Sequence, residues 1–238
     1  MAEELGKIER PEAAAFSGKR KLYLVPLLYR WPDAPAEYDT LFNTYWQEIV
    51  NQLRHLEDRI GKILHVYHEG IDKTGDDAIH QLEHFDTPSL DITKRALSAG
   101  AVINPVEDHA LLAESMDWER FLMLGFASEK VAKTATDALM SVMKSRYELI
   151  TRRISESLKP GEAGVLFVRE GLPIQFPTEI EVFSVFPPSL DAIHRYLRER
   201  PQDMDEPAEP AEPQQQPVKK KRAAKKSAAK QSEDATGS

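Results

Sequence analysis

The stretch Lys21 to Tyr29, KLYLVPLLY, is apolar at odd and even positions alike. A strand with one wet face alternates in polarity, so one that is apolar on both faces must be covered on both, as a central strand of a sheet packed by helices is. Pro26 within it is a complication, because proline cannot donate to a ladder. The residues that follow agree with such a sheet. From Glu37 to Ile60, the side chains Leu41, Tyr45, Ile49, Leu53, Leu56 and Ile60 recur every three or four positions, which predicts a helix with Gly61 as its C-terminal stop. Ile63 to Ile71, ILHVYHEGI, reads as a second strand. Strand, long helix and strand in this order form a right-handed βαβ unit with parallel strands.

Residues 75–125 read as mostly helical, broken near Pro88, Gly100 and Pro105. Ser128 reads as an N-cap with Glu129 in the first turn, opening a helix that Lys159-Pro160-Gly161 stops. Ala163–Arg169 and Ile180–Phe186 are a third and a fourth strand, and Pro187-Pro188 opens a last helix over 189–198. The expected fold is α/β: a small mixed, partly parallel sheet of about four strands packed by long helices, in one domain over residues 19–200. Residues 1–18 are expected to be flexible.

Composition narrows the function. The chain has 238 residues and no cysteine, which removes thiol nucleophiles, disulfide frameworks, zinc ribbons and iron–sulfur clusters. No apolar run approaches the roughly 20 residues that span a bilayer. The N-terminus, MAEELGKIER, lacks the apolar core of a signal peptide. The expectation is a cytoplasmic protein without membrane contact. Residues 201–217 are acidic and proline-rich, and 218–230, VKKKRAAKKSAAK, are basic. This stretch has too little apolar area to offset the entropy of ordering, so 201–238 reads as a disordered tail, acidic and then basic. Its seven basic and seven acidic groups cancel, leaving the net charge of −8 on residues 1–200. Lys219, Lys220, Lys221, Arg222, Lys225, Lys226 and Lys230 are candidates for weak, sequence-independent contact with nucleic acid or another polyanion.

Phosphate-cradling glycine loops and the GxSxG elbow are absent from the sequence. His80-Gln81-Leu82-Glu83-His84 fits the H-x-x-E-H pattern of inverted zinc proteases. The residues around it read as a solvated helix, so no metal site is expected there. Ligands of parallel sheets bind beyond the carboxyl ends of the strands. His65, Tyr67, His68 and Glu69 lie on the second strand, with His68 and Glu69 at that end and Arg30 expected beside them at the end of the first strand. Alternation sets His68 with Leu64 and Val66, on the other face from His65, Tyr67 and Glu69.

A third constellation is LLAESMDWERFL, residues 111–122. Helical spacing turns Glu114 toward the apolar side of Leu111, Trp118 and Phe121, and lets Asp117 pair with Arg120. Arg146 interrupts the apolar stripe Ala135, Leu139, Val142, Ile150 and Ile154. An anion and a cation, each on an apolar stripe, predict a buried Glu114–Arg146 contact.

The run Met143 to Val168, MKSRYELITRRISESLKPGEAGVLFV, resembles the C-terminal part of the TraB and erythromycin-esterase-like superfamily. Arg146 on a long helix, then Ile154 and Leu158, then a valine-rich strand match in order. Glu69 stands where that superfamily ends its second strand in glutamate. Its glycine–histidine signature after the late strand is replaced here by Arg169-Glu170-Gly171-Leu172. The resemblance implies a distant relation in fold and carries no activity.

The leading functional expectation is a binding or regulatory module without a cofactor, with a lysine-rich tail. Arg30, Asp117, Arg120 and Arg146 are its candidate ligand-binding residues. The first alternative is a hydrolase, assisted by a divalent metal under that reading, with His68, Glu69 and Glu114 as catalytic residues. The second is a self-associating scaffold, a homo-oligomer built on apolar helix faces.

Overall fold

In the computed structural model, which describes Phe16, residues 18–85 and residues 87–199, the chain alternates strands and helices. In order these are β1 (Arg20–Leu27), α1 (Ala36–Arg59), β2 (Ile63–His68), α2 (Gly75–Glu83), α3 (Ser89–Ser98), β3 (Val102–Asn104), α4 (His109–Met123), α5 (Glu129–Ser157), β4 (Ala163–Arg169), β5 (Ile180–Ser184) and α6 (Pro188–Glu199). The expected flexible N-terminus, apart from Phe16 and Gly18, and the tail 201–238 lie outside the described residues. Among the described residues, no helix is long and apolar enough to cross a membrane.

The α/β class holds, with two corrections. The sheet has five strands rather than four, and every pairing in it is parallel, in the order β3-β2-β4-β1-β5. The added strand, β3, is three residues long and lies inside the stretch that reads as helical. The second correction concerns neighbours: β4 runs between β1 and β2, so the first βαβ unit does not join adjacent strands.

Burial on both sides follows from alternation along the central strands. From β4, Val165 and Phe167 join Tyr23, Val25 and Val66 under α1, whose inner stripe is Phe42, Tyr45, Trp46, Ile49 and Leu53. Leu166 and Val168 point the other way, joining Leu22 and Tyr67 under Tyr147, Ile150 and Ile154 of α5 and Leu158 just after it. The helices α2, α3 and α6 also add residues to the α1 side. Pro26 fits because of where the β5 ladder ends. The last β1–β5 pair is Leu24 with Ser184, so Pro26 lies past the strand that would have needed its N–H. Its carbonyl accepts from the Tyr45 hydroxyl at 2.5 Å.

The helix α5 outruns the sheet. Its 29 residues rise about 43 Å, against about 23 Å for the seven residues of β4. Its contribution to the core under the sheet begins at Met143. Ala135 and Val142, nearer its start, are buried in the stretch that pairs with α4.

Candidate functional site

After β2 the chain crosses to β3 by α2 and α3, on the α1 side. After β4 it crosses to β5 by an irregular segment whose Leu172, Ile174 and Phe176 pack on the α5 side. The connections of these two neighbouring strands thus part in opposite directions, and the carboxyl edge at such a parting is where open parallel sheets bind their ligands. At this edge stand Glu69, just after β2, and Arg169, the last residue of β4.

Glu69 is 5% exposed. Its carboxylate accepts from the Arg169 backbone N–H at 2.8 Å and from Arg169 Nε at 2.9 Å. Arg146 Nη2 lies 3.6 Å away. Arg146 itself is 1% exposed and is gripped by Glu107, from Nε at 3.1 Å and from Nη2 at 2.5 Å. Its remaining nitrogen donates to Ser115 Oγ at 3.1 Å. Arg153 donates to the Glu107 carbonyl at 2.5 Å. Burial would lower the Arg146 pKa, but its hydrogen bonds to Glu107 and the charges of Glu107 and Glu69 outweigh this and raise it. The same balance, with Glu69 as the main partner, raises that of Arg169.

Gly70 closes the corner between Glu69 and the next helix. Its φ is +88°, and a Cβ there would sit 2.8 Å from the Phe85 ring, so both the backbone angle and the space require glycine. Tyr29, just past β1, completes the rim. Burial and then the charge of Glu69, against that of Arg169, push its hydroxyl up to about 12.

The histidine at this edge is fully buried and already engaged. His68 Nδ1 is 2.6 Å from the Glu69 carbonyl oxygen, which can only accept, so Nδ1 carries the proton. Nε2 is then an acceptor and takes the Ser89 hydroxyl at 3.1 Å. Ser89 Oγ is in turn bonded to Thr87 Oγ1. Burial, opposed by the bond to the Glu69 carbonyl, pushes the His68 pKa down to about 4, which keeps the ring neutral. His65 stays near the amino end of the strand, its Nε2 2.9 Å from Glu162 Oε2.

The other candidates are elsewhere. Arg30 is not beside Glu69, because β4 takes that place; its nearest carboxylate is Asp39, at 3.9 Å and half-exposed. Arg146 is buried and paired, but not with Glu114. The helix α4 turns Ser115 toward α5, and Glu114, one position earlier and so about 100° round the helix, faces solvent. Glu114 accepts from Trp118 Nε1 at 3.3 Å. Asp117 and Arg120 pair at 3.2 Å as the spacing predicts, on the exposed face and away from the edge. In the H-x-x-E-H stretch, Glu83 bonds to Lys94 and to His80, and His84 donates to the His80 carbonyl. Among the described residues, no group of three or more His, Asp or Glu is placed to hold a metal ion.

Sequence reasoning missed Glu107 and Arg169. Both stand, like Glu69, at the carboxyl end of a strand: Arg169 is the last residue of β4 and Glu107 comes three residues after β3. Glu107 escaped notice because β3 is too short to read as a strand, and Arg169 because the strand order was unknown. Comparison with protein-family models, with curated proteins and with solved structures gives no match to this chain.

Proposed function

We propose that the protein is a binding module that takes a small anionic ligand at the carboxyl edge between β2 and β4, with Arg169 as the contacting residue. The supporting observation is the buried Glu69–Arg146–Glu107 assembly at the parting of the two connections. It fixes the base of Arg169 from below, through both the backbone and Nε, and leaves that side chain 38% exposed. The outer contact of Arg169, Nη1 to Glu119 at 3.5 Å, is long and half-exposed. An incoming carboxylate or phosphate replaces Glu119 there at little cost, since an exposed pair of this kind contributes about 0–1 kcal/mol. A rigid guanidinium with an exchangeable outer partner is a receptor for carboxylates and phosphates.

This geometry supports binding over hydrolysis. Both ring nitrogens of His68 are engaged, Glu69 and Glu107 are held by arginines, and Glu114 is remote, so none of these residues is free to act as a general base at the edge. The lysine-rich segment 218–230 adds a second, weak polyanion contact by its charge density.

The test is an amide-resolved NMR titration of the full chain with citrate, acetate and inorganic phosphate. Saturable shifts at Glu69, Gly70, Arg169 and Gly171, strengthened by Glu119→Ala and lost in Arg169→Leu, are expected. Flat responses at these amides for all three anions would end the proposal. Deleting 201–238 should leave these shifts in place and abolish DNA binding.

A further inference from the structure

On the outer flank of α5, a groove of about 1120 Å³ runs between that helix and the irregular segment 171–177. Its floor on α5 is a row at four-residue spacing: Leu139, Met143, Tyr147, Thr151 and Ser155. That row is about 24 Å long at 1.5 Å per residue. The floor is polarised along its length. Leu139, Met140, Met143 and Tyr147 give one end its apolar surface, flanked by Asp137, Ser141, Lys144 and Glu148, whereas Thr151, Arg152 and Ser155 make the other end polar throughout.

The charges along the groove are similarly unequal. Each of its carboxylates has a cation: Glu119 has Arg169 at 3.5 Å, Asp137 has Lys133 at 2.8 Å, and Glu148 has Lys144 at 3.9 Å. Arg152 has no carboxylate within ion-pair distance among the described residues. It is therefore the uncompensated charge of the groove, and it stands at the polar end. Ser155, one turn on, has a buried Oγ without a hydrogen-bond partner. An unmet buried hydroxyl costs free energy that a polar group of a ligand can recover.

We propose that this groove binds an anionic amphiphile with a long alkyl chain, a fatty-acid-type carboxylate, its head group at Arg152 and Ser155 and its chain along Tyr147, Met143, Leu139 and Met140. The charge left over at one end calls for an anion, the apolar floor at the other calls for a chain, and the length between them calls for an extended molecule. The groove adjoins the Arg169 edge and shares Glu119 and Gly171 with it, but it places its anion on Arg152 rather than on Arg169, so Arg152→Gln and Arg169→Leu tell the two readings apart.

The experiment displaces a fluorescent alkyl carboxylate, dansyl-undecanoate, from the full chain with oleate, with oleyl alcohol and with butyrate. Oleate should displace the probe, the alcohol should be weaker by about tenfold or more, and butyrate should fail. Arg152→Gln should abolish the preference for oleate over the alcohol. Met140→Glu, at a residue 64% exposed and thus safe for folding, should weaken both. Arg169→Leu, which touches the groove only through Glu119, should leave the preference for oleate over the alcohol in place. Absence of probe binding, equal displacement by acid and alcohol, or affinities unmoved by both Arg152→Gln and Met140→Glu would overturn the proposal. So would sedimentation showing that the groove is closed by a second copy of the chain, with association broken by Met140→Glu.

Discussion

The two long helices cover opposite sides of one sheet in different ways. The inner stripe of α1 is entirely apolar and aromatic, from Tyr38 and Phe42 through Trp46 to Leu53. The inner stripe of α5 is apolar for its second half, but carries Arg146 level with the carboxyl ends of β2 and β4. Burying a cation is costly unless its partners are in place, and here they come from three separate elements: Glu69 after β2, Glu107 after β3 and Ser115 on α4. The α1 side is a packing surface that depends on shape. The α5 side depends at one level on a charge balance, and that level is where the strand connections part.

The sharpest way to break this contrast is to remove one member of the charge balance. Arg146→Met leaves Glu107 buried without its partner and should cost about 3–5 kcal/mol. The double variant Arg146→Met with Glu107→Met should cost clearly less, and a urea double-mutant cycle that gave no coupling would refute the pairing. On the α1 side, Ile49→Ala should cost about 3 kcal/mol through cavity formation. Its loss should add to that of Arg146→Met, because the sheet separates them.

Acid provides a third probe. The His68 ring takes a proton near pH 6.5 when unfolded but only near 4 when folded. Below the higher value the unfolded state gains protons that the folded state refuses, so stability falls as pH drops. That amounts to about 2 kcal/mol by about pH 5. The drop, measured as the difference between denaturation midpoints at two pH values, should be smaller by that amount in His68→Asn. The smallest effect belongs to Glu114→Ala, which should change stability by no more than about 0.5 kcal/mol. A loss as large as that of Arg146→Met would restore the Glu114–Arg146 pair that the structure rejects.

Arg146 was legible in the sequence because a cation in an apolar stripe stands out at helical spacing. Its partner was not. Glu114 and Ser115 are neighbours in sequence, and only packing against α5 decides which of them turns inward. Glu107 follows a strand of three residues, too short for any periodicity. The insertion of β4 between β1 and β2 is a long-range choice with no local signature, so Arg30 was assigned the place that Arg169 holds. The strands β1, β2 and β4, by contrast, could be read because two-sided burial writes itself into composition. Pro26 is compatible with β1 because the β5 ladder stops two residues short of it, at Leu24.

The overhang of α5 has a consequence for motion. Beyond the sheet, the first half of this helix has α4 as its main support, and the turn joining them presents Met123 and Leu124 at 84% and 78% exposure. A helix pair held on one flank opens at lower free energy than the core it is anchored to. Amide protons of residues 129–142 should therefore exchange with deuterium through local opening, well before those of 146–157. Arg146 would mark the boundary between the two regimes, where a single helix passes from one cooperative unit to another.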